Sequence, residues 1–142
     1  MLSFTFFSKV EFGETFLLAS VQTWGFDVDA ISAYVREYTL EYSFDGATWY
    51  RVSDGSGSTT FTGNTVDNYN TLGGQENSIE AVFANSLKII PSTFEHRVAL
   101  KWSVIGCSLD HISMCILYPI SSARPYPLPP DPPFPTLLSY IP

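Results

Sequence analysis

Between residues 34 and 44 the chain alternates. Tyr34, Tyr38, Leu40, Tyr42 and Phe44 share one parity, interrupted by Arg36, while Glu37, Thr39, Glu41 and Ser43 occupy the other. A period of two over that length predicts a strand with one buried and one wet face. Asp45-Gly46 then supplies a tight turn, because glycine accepts the positive φ that a hairpin requires. Trp49, at the start of the returning strand, is placed to plug the core together with Tyr34, Tyr38, Leu40 and Tyr42.

The other segments are shorter versions of the same theme. Residues 4–12 read as a strand ending at Gly13, and residues 16–23 as a second one. Residues 25–32 read as a loop or short bent segment, and 53–60, rich in Ser and Gly, as a flexible turn. Order resumes at 61–65, and a polar loop rich in Asn and Gly runs from 66 to 77. Strands are expected at 79–83 and 87–90, with a change of direction at 91–97. Val98, Leu100, Trp102 and Val104 alternate with Ala99, Lys101 and Ser103 in a last strand ending at Gly106-Cys107. No stretch keeps a helical period. Many short strands separated by Gly-, Asn- and Ser-rich turns indicate an all-β sandwich or barrel. After Cys107 the character changes: nine of the ten prolines lie from Pro119 onward. That tail is expected to be extended and outside the core.

At 142 residues, 45% hydrophobic and 15% aromatic, the chain can build one core, with or without a tail. The net charge of −7, with seven basic residues that form no cluster, argues against nucleic acid. It also argues against simple electrostatic attraction to anionic lipid. No apolar run reaches membrane-spanning length. Lys9, Glu11 and Glu14 interrupt the apolar start before a signal-peptide core could form. His96 and His111 stand alone, and no nucleophile, metal or phosphate-loop motif is present. The chain reads as non-enzymatic, without cofactor or metal. Asp27 and Asp29 lack the further oxygen ligands that calcium would need. In the tail, Arg124, Pro127 and Pro130 fit R-x-x-P-x-x-P, a pattern for polyproline readers that proline-rich sequence also meets by chance.

Several blocks together resemble a discoidin domain, also called the coagulation factor V/VIII type C domain. Val10-Glu11-Phe12-Gly13 is similar to the family's V-D-L-G strand, and Thr23-Trp24-Gly25 stands where T-Q-G is common. Tyr34-Val35, followed by Tyr42-Ser43-Phe44-Asp45-Gly46-Ala47-Thr48-Trp49, resembles Y-V…Y-S-x-D-G-x-x-W. Phe61-Thr62-Gly63-Asn64-Thr65 resembles F-x-G-N-T. Leu87-Lys88-Ile89-Ile90-Pro91, Val98-Ala99-Leu100-Lys101 and Gly106-Cys107 resemble the closing R-I-x-P…I-A-L-R…G-C block. Order and spacing carry the resemblance over residues 7–107. It implies a discoidin-like jelly-roll β-sandwich, galactose-binding-like, lacking its N-terminal strands. Residues 1–6 form an atypical lead-in, and 108–142 a Pro-rich, disordered tail. The family's partner for the final cysteine falls in the absent third, so Cys107 reads as a free thiol. A Cys107–Cys115 bridge is the substitute pairing.

The resemblance implies an extracellular or cell-surface recognition and adhesion module. Such modules bind glycans, proteins or phospholipid surfaces through loops at one end of the barrel. Residues 25–33 are the one such loop expected here, with Trp24, Phe26, Val28 and Ile31 as apolar members that either meet a ligand or close the barrel end. Asp27 and Asp29 disfavour insertion among anionic head groups and suit a sugar hydroxyl or cationic partner. The 64–77 loop offers Asn64, Asp67 and Tyr69, residue types that sugar sites use, or else a solvated connection held by side-chain turns. The ligand-binding set is therefore Trp24, Phe26, Asp27, Val28, Asp29, Asn64, Asp67 and Tyr69. The alternatives are a phospholipid-binding module, or a truncated gene product or splice form without independent function. A hydrolase on this kind of sandwich has no motif behind it.

Overall fold

The computed structural model describes residues 6–110 in full, together with the backbone of His111 and of Thr136–Tyr140. The described residues form eight strands: β1 (Ser8–Trp24), β2 (Phe26–Val28), β3 (Ile31–Ser43), β4 (Tyr50–Arg51), β5 (Phe61–Thr62), β6 (Gln75–Glu95), β7 (Lys101–Ser108) and β8 (Thr136–Tyr140). All pairings are antiparallel, in the order β2-β3-β6-β1-β7-β8, with β4 and β5 also pairing with β3.

Two of the strands are longer than the sequence pattern suggests. The two strands expected on either side of Gly13 are one. Glu11 pairs with Ser86 and Phe16 with Ala84, so residues 12–15 face a single residue of β6 in a bulge, with Gly13 at φ 77°. A second irregularity lies between Leu18 and Ser20. Phe16 and Leu18 are buried before it and Ser20, Val21 and Thr23 after it, so the buried parity changes between Ser20 and Val21. An extra residue exchanges the two faces of a strand, which hides the alternation from a sequence reading. Strand β6 likewise fuses two expected strands and runs through Pro91 to Glu95. Pro91, which has no N–H to give the ladder, sits at a register shift opposite Tyr38.

The core holds Phe16, Leu18, Val21, Val35, Tyr38, Leu40, Val52, Phe61, Ile79, Leu87, Ile89, Leu100, Trp102 and Val104. Tyr38 stacks on Phe61 with ring centroids 5.6 Å apart, and its hydroxyl accepts a hydrogen bond from Asn77 Nδ2 at 2.9 Å. Burial pushes its phenol pKa up. Two expectations are corrected here. Trp49 does not plug the core: it is half-buried, with Lys88 Nζ 4.1 Å from its ring centroid. The buried tryptophan is Trp102, whose Nε1 donates to Ser8 Oγ at 3.0 Å, so the one polar atom of that ring is satisfied inside the core. Tyr42 is only half-buried and packs on the core from outside, against Phe44 and Tyr50.

The Asp45-Gly46 turn is present, within a six-residue connection. Asp45 Oδ1 accepts from the Ala47 and Thr48 N–H groups, each at 2.8 Å, and Gly46 N–H donates to Ser43 Oγ. The free thiol expected at Cys107 is also corrected, since Cys107 is fully buried and disulfide-bonded. Cys115 lies outside the described residues, as does the Arg124, Pro127 and Pro130 pattern. The tail does not stay wholly apart from the sheet: Thr136–Tyr140 pairs with Trp102–Gly106 of β7. Its sequence, TLLSY, is a proline-free window between Pro135 and Pro142, and so it can fill a ladder.

Candidate ligand-binding cleft

The hairpin β2–β3 replaces the expected loop. Asp29 and Ala30 both have positive φ, 53° and 62°, between the paired residues Val28 and Ile31. Two successive left-handed residues make a type I′ turn, whose twist matches that of the strands. Gly25 lets the hairpin fold back onto β3, because a Cβ there would stand 2.2 Å from the Ala33 carbonyl oxygen. The Gly25 N–H donates to the Tyr69 carbonyl at 2.9 Å, which docks the second candidate loop beside the first.

Side chains strengthen that junction. Ser32 Oγ donates to the Tyr69 hydroxyl at 3.0 Å, and that hydroxyl donates to Asp27 Oδ1 at 2.9 Å. The Tyr69 ring stacks on Tyr34 with centroids 5.4 Å apart. Trp24 Nε1 donates to the Thr71 carbonyl at 3.0 Å, and Trp24 pairs across the ladder with Lys101. Lys101 Nζ lies 5.4 Å from the indole centroid. Trp24, Gly25, Phe26, Asp27, Asn70, Thr71, Leu72 and Lys101 enclose an open cleft of about 380 Å³. It offers one carboxylate, one ammonium, an amide and aromatic surface, a set that binds and orients polar ligands.

The expected site residues divide accordingly. Trp24, Phe26 and Asp27 line the cleft, and Tyr69 holds Asp27 from beneath while itself buried. Val28 and Asp29 do not line it. Asp29 lies at the turn, with its Oδ2 3.6 Å from Arg97 Nη1 in an exposed ion pair. Asp67 is exposed on the neighbouring turn. Asn64 is structural on this side: 2% exposed, it donates from Nδ2 to the Thr23 carbonyl and to Asn68 Oδ1. Sequence reasoning missed Lys101 and Ser32. Lys101 is the wet residue of an alternating strand, and only the β1–β7 register places it against Trp24. Among the described residues, no three His, Cys, Asp or Glu side chains gather in a metal-binding group, and no helix is long and apolar enough to cross a membrane.

No protein-family model matches the chain. Its sequence is 32% identical to human coagulation factor V over 79 residues, 54% of this chain, and 30% identical to mouse coagulation factor V over the same length. It is 29% identical to human coagulation factor VIII over 105 residues, 73% of this chain. These stretches span only 3–4% of the relatives' own lengths. Among solved structures, wild-type discoidin II from Dictyostelium discoideum matches with a TM-score of 0.52 at 19% identity, over 80% of this chain and 39% of that one. Native recombinant discoidin II of the same organism matches with a TM-score of 0.52 at 20% identity, over 70% and 36%. At that identity the likeness establishes the fold, a discoidin-like β-sandwich.

Proposed function

We propose that the chain, which is similar to coagulation factors V and VIII over part of its length and has a discoidin-like β-sandwich fold, is a non-enzymatic extracellular recognition module. It binds a glycan or protein ligand in the cleft where hairpin β2–β3 meets residues 69–72. The observation that carries this reading is the Tyr69–Asp27 hydrogen bond. It joins strand β2 to the Tyr69 turn, 42 residues apart in sequence, and fixes a carboxylate beside Trp24 and Lys101, so the polar groups are oriented before any ligand arrives. The disulfide-bonded state of Cys107 supports an oxidising compartment. Residues 7–107 are the unit to which this reading applies.

A second reading, a phospholipid surface as ligand, draws on the side chains around the cleft. Phe26, Ile31 and Leu72 are exposed, Leu72 almost completely at 99%, and exposed apolar side chains on a protruding end can enter a lipid interface. Asp27 and Asp29 on the same hairpin count against it. A glycan array read beside liposome sedimentation separates the two. The first reading expects array or protein binding that falls when Trp24 and Asp27 are replaced by Ala and Asn. Binding to neutral and anionic vesicles alone, abolished by Leu72→Asp, overturns it in favour of the second. Ligand binding unchanged in the Trp24→Ala, Asp27→Asn double variant removes this cleft as the site.

A further inference from the structure

The first residues of β1 form an edge. Ser8, Lys9, Val10 and Glu11 pair with Ile89, Lys88, Leu87 and Ser86 of β6. Strand β7 joins β1 from Phe16 onward, past the bulge at Gly13. Among the described residues the other side of Ser8–Glu11 therefore carries no ladder partner. Such a row of open N–H and C=O groups is a template for a further strand.

Apolar surface accompanies the edge. Phe6 and Phe7, which lead into it, are 66% and 56% exposed. With Ser8, Phe94, Val98 and Leu100 they line an apolar cleft of about 450 Å³. Val10 and Phe12 pack against the core while only half-buried.

Charge decides which strand fits. One row of charged residues crosses four strands. Arg51 of β4 lies opposite Glu41 of β3, Glu41 opposite Lys88 of β6, and Lys88 opposite Lys9 of β1. The signs run plus, minus, plus, plus, and like charges directly opposite are unfavourable. Lys88 also sits against two rings, its Nζ 4.1 Å from the Trp49 centroid and 4.9 Å from that of Phe7. Lys9 ends the row at the open edge. Its ion pair runs along its own strand, from Nζ to Glu11 Oε1 at 2.9 Å. An added strand complements this edge when it sets a carboxylate opposite Lys9 and an ammonium opposite Glu11.

The edge carries that sequence itself. In an antiparallel pair of copies with Val10 opposite Val10, Lys9 faces Glu11 of the second copy and Glu11 faces its Lys9. A two-fold axis generates both contacts from one patch. The same register sets Phe7 opposite Gly13 of the second copy, where no atom lies within 4 Å of a Cβ position, so there is room for a ring. It also brings Phe12 of the second copy opposite Ser8, at the mouth of the apolar cleft.

We propose that the open edge of β1 is a self-association surface: two copies of this chain pair antiparallel through residues 8–12 about a two-fold axis at Val10. The contact is short, so the dimer is weak, with a Kd on the order of 1–100 μM. It stands whichever ligand the loop-tip cleft takes.

The test is sedimentation velocity of the full chain at low ionic strength, from about 1 to about 300 μM, a range that brackets this Kd. The expected result is a monomer–dimer equilibrium that weakens as salt is added. Glu11→Lys and Lys9→Glu should each raise the Kd about tenfold, because both opposite-charge pairs become like-charge pairs. Both side chains are exposed, so thermal unfolding should be unchanged. An equimolar mixture of the two variants should associate again, since each carboxylate then meets an ammonium. The double variant Lys9→Glu, Glu11→Lys should do so alone. A chain that stays monomeric through the whole range overturns the proposal. So does a dimer indifferent to both single substitutions, or one that neither the mixture nor the double variant restores.

Discussion

The Tyr69 hydroxyl donates to Asp27 Oδ1 at 2.9 Å while accepting from Ser32 Oγ at 3.0 Å, so one phenol fixes the only carboxylate of the loop-tip cleft. Tyr69→Phe removes that link and keeps the ring stacked on Tyr34. The expected loss of stability is small, about 0.5–1.5 kcal/mol for one hydrogen bond. Affinity for the ligand of the tip should fall about fivefold. Chemical denaturation and calorimetric titration of the same preparation measure the two effects separately. A variant that binds as tightly as the parent would leave Tyr69 with a structural role only.

The two tryptophans that the sequence presents as equals should differ sharply. Trp102→Ala empties the centre of the core and strands Ser8 Oγ, and should cost about 3–5 kcal/mol. Trp49→Ala removes a half-buried ring and its Lys88 contact, a loss of about 0.5–1 kcal/mol. Equal shifts in denaturation midpoint for the two variants would contradict the core assignment.

That contrast indicates what the sequence can and cannot convey. Tyr38 and Leu40 are legible as core because β3 keeps its parity through that stretch. The Asp45-Gly46 turn is legible because its chemistry is local. The discoidin-like fold is legible because its motifs recur at fixed spacing. Bulges are not legible: Gly13 reads as the end of a strand where β1 only bulges, so one strand is read as two, and the exchange of faces between Ser20 and Val21 has no distinctive composition. Nor is a cross-strand neighbour legible. Lys101 meets Trp24 through a register set by residues far away in the chain.

Ala30 occupies the second position of a type I′ turn at φ 62°, where a Cβ costs roughly 1–2 kcal/mol relative to right-handed conformations. Ala30→Gly gives Asp-Gly, the residue pair this turn prefers. The variant should gain about 0.5–1 kcal/mol despite glycine's greater freedom when unfolded, visible as a raised denaturation midpoint with an unchanged m-value. A loss of stability would show that the turn is not type I′ in solution.

Acid should loosen the 44–49 connection before it unfolds the sheet. Hydrogen bonds from the Thr48 and Ala47 N–H groups lower the Asp45 carboxyl pKa to about 2, below the value of about 3.9 for an unfolded aspartate. A depressed folded-state pKa means that the stabilisation is complete above about pH 4 and is lost as pH falls toward about 2. Asp45→Asn abolishes that titration. Denaturation midpoints measured across this window should therefore fall less steeply for the variant than for the parent, and parallel curves would refute the assignment.

Strand β1 lies in the middle of the sheet, and its partners are β6 and β7, the nearer of which begins only at Gln75. Among the described residues β1 is synthesised ahead of both of its partners. Phe16, Leu18 and Val21 must wait unpaired while most of the described chain is synthesised. Closing such distant contacts is entropically slow, which places folding in the millisecond-to-second range of β-sandwiches. The interval is also when a loose apolar strand can pair with another chain. Loss of chain to such pairing is separate from the stability of the finished sandwich.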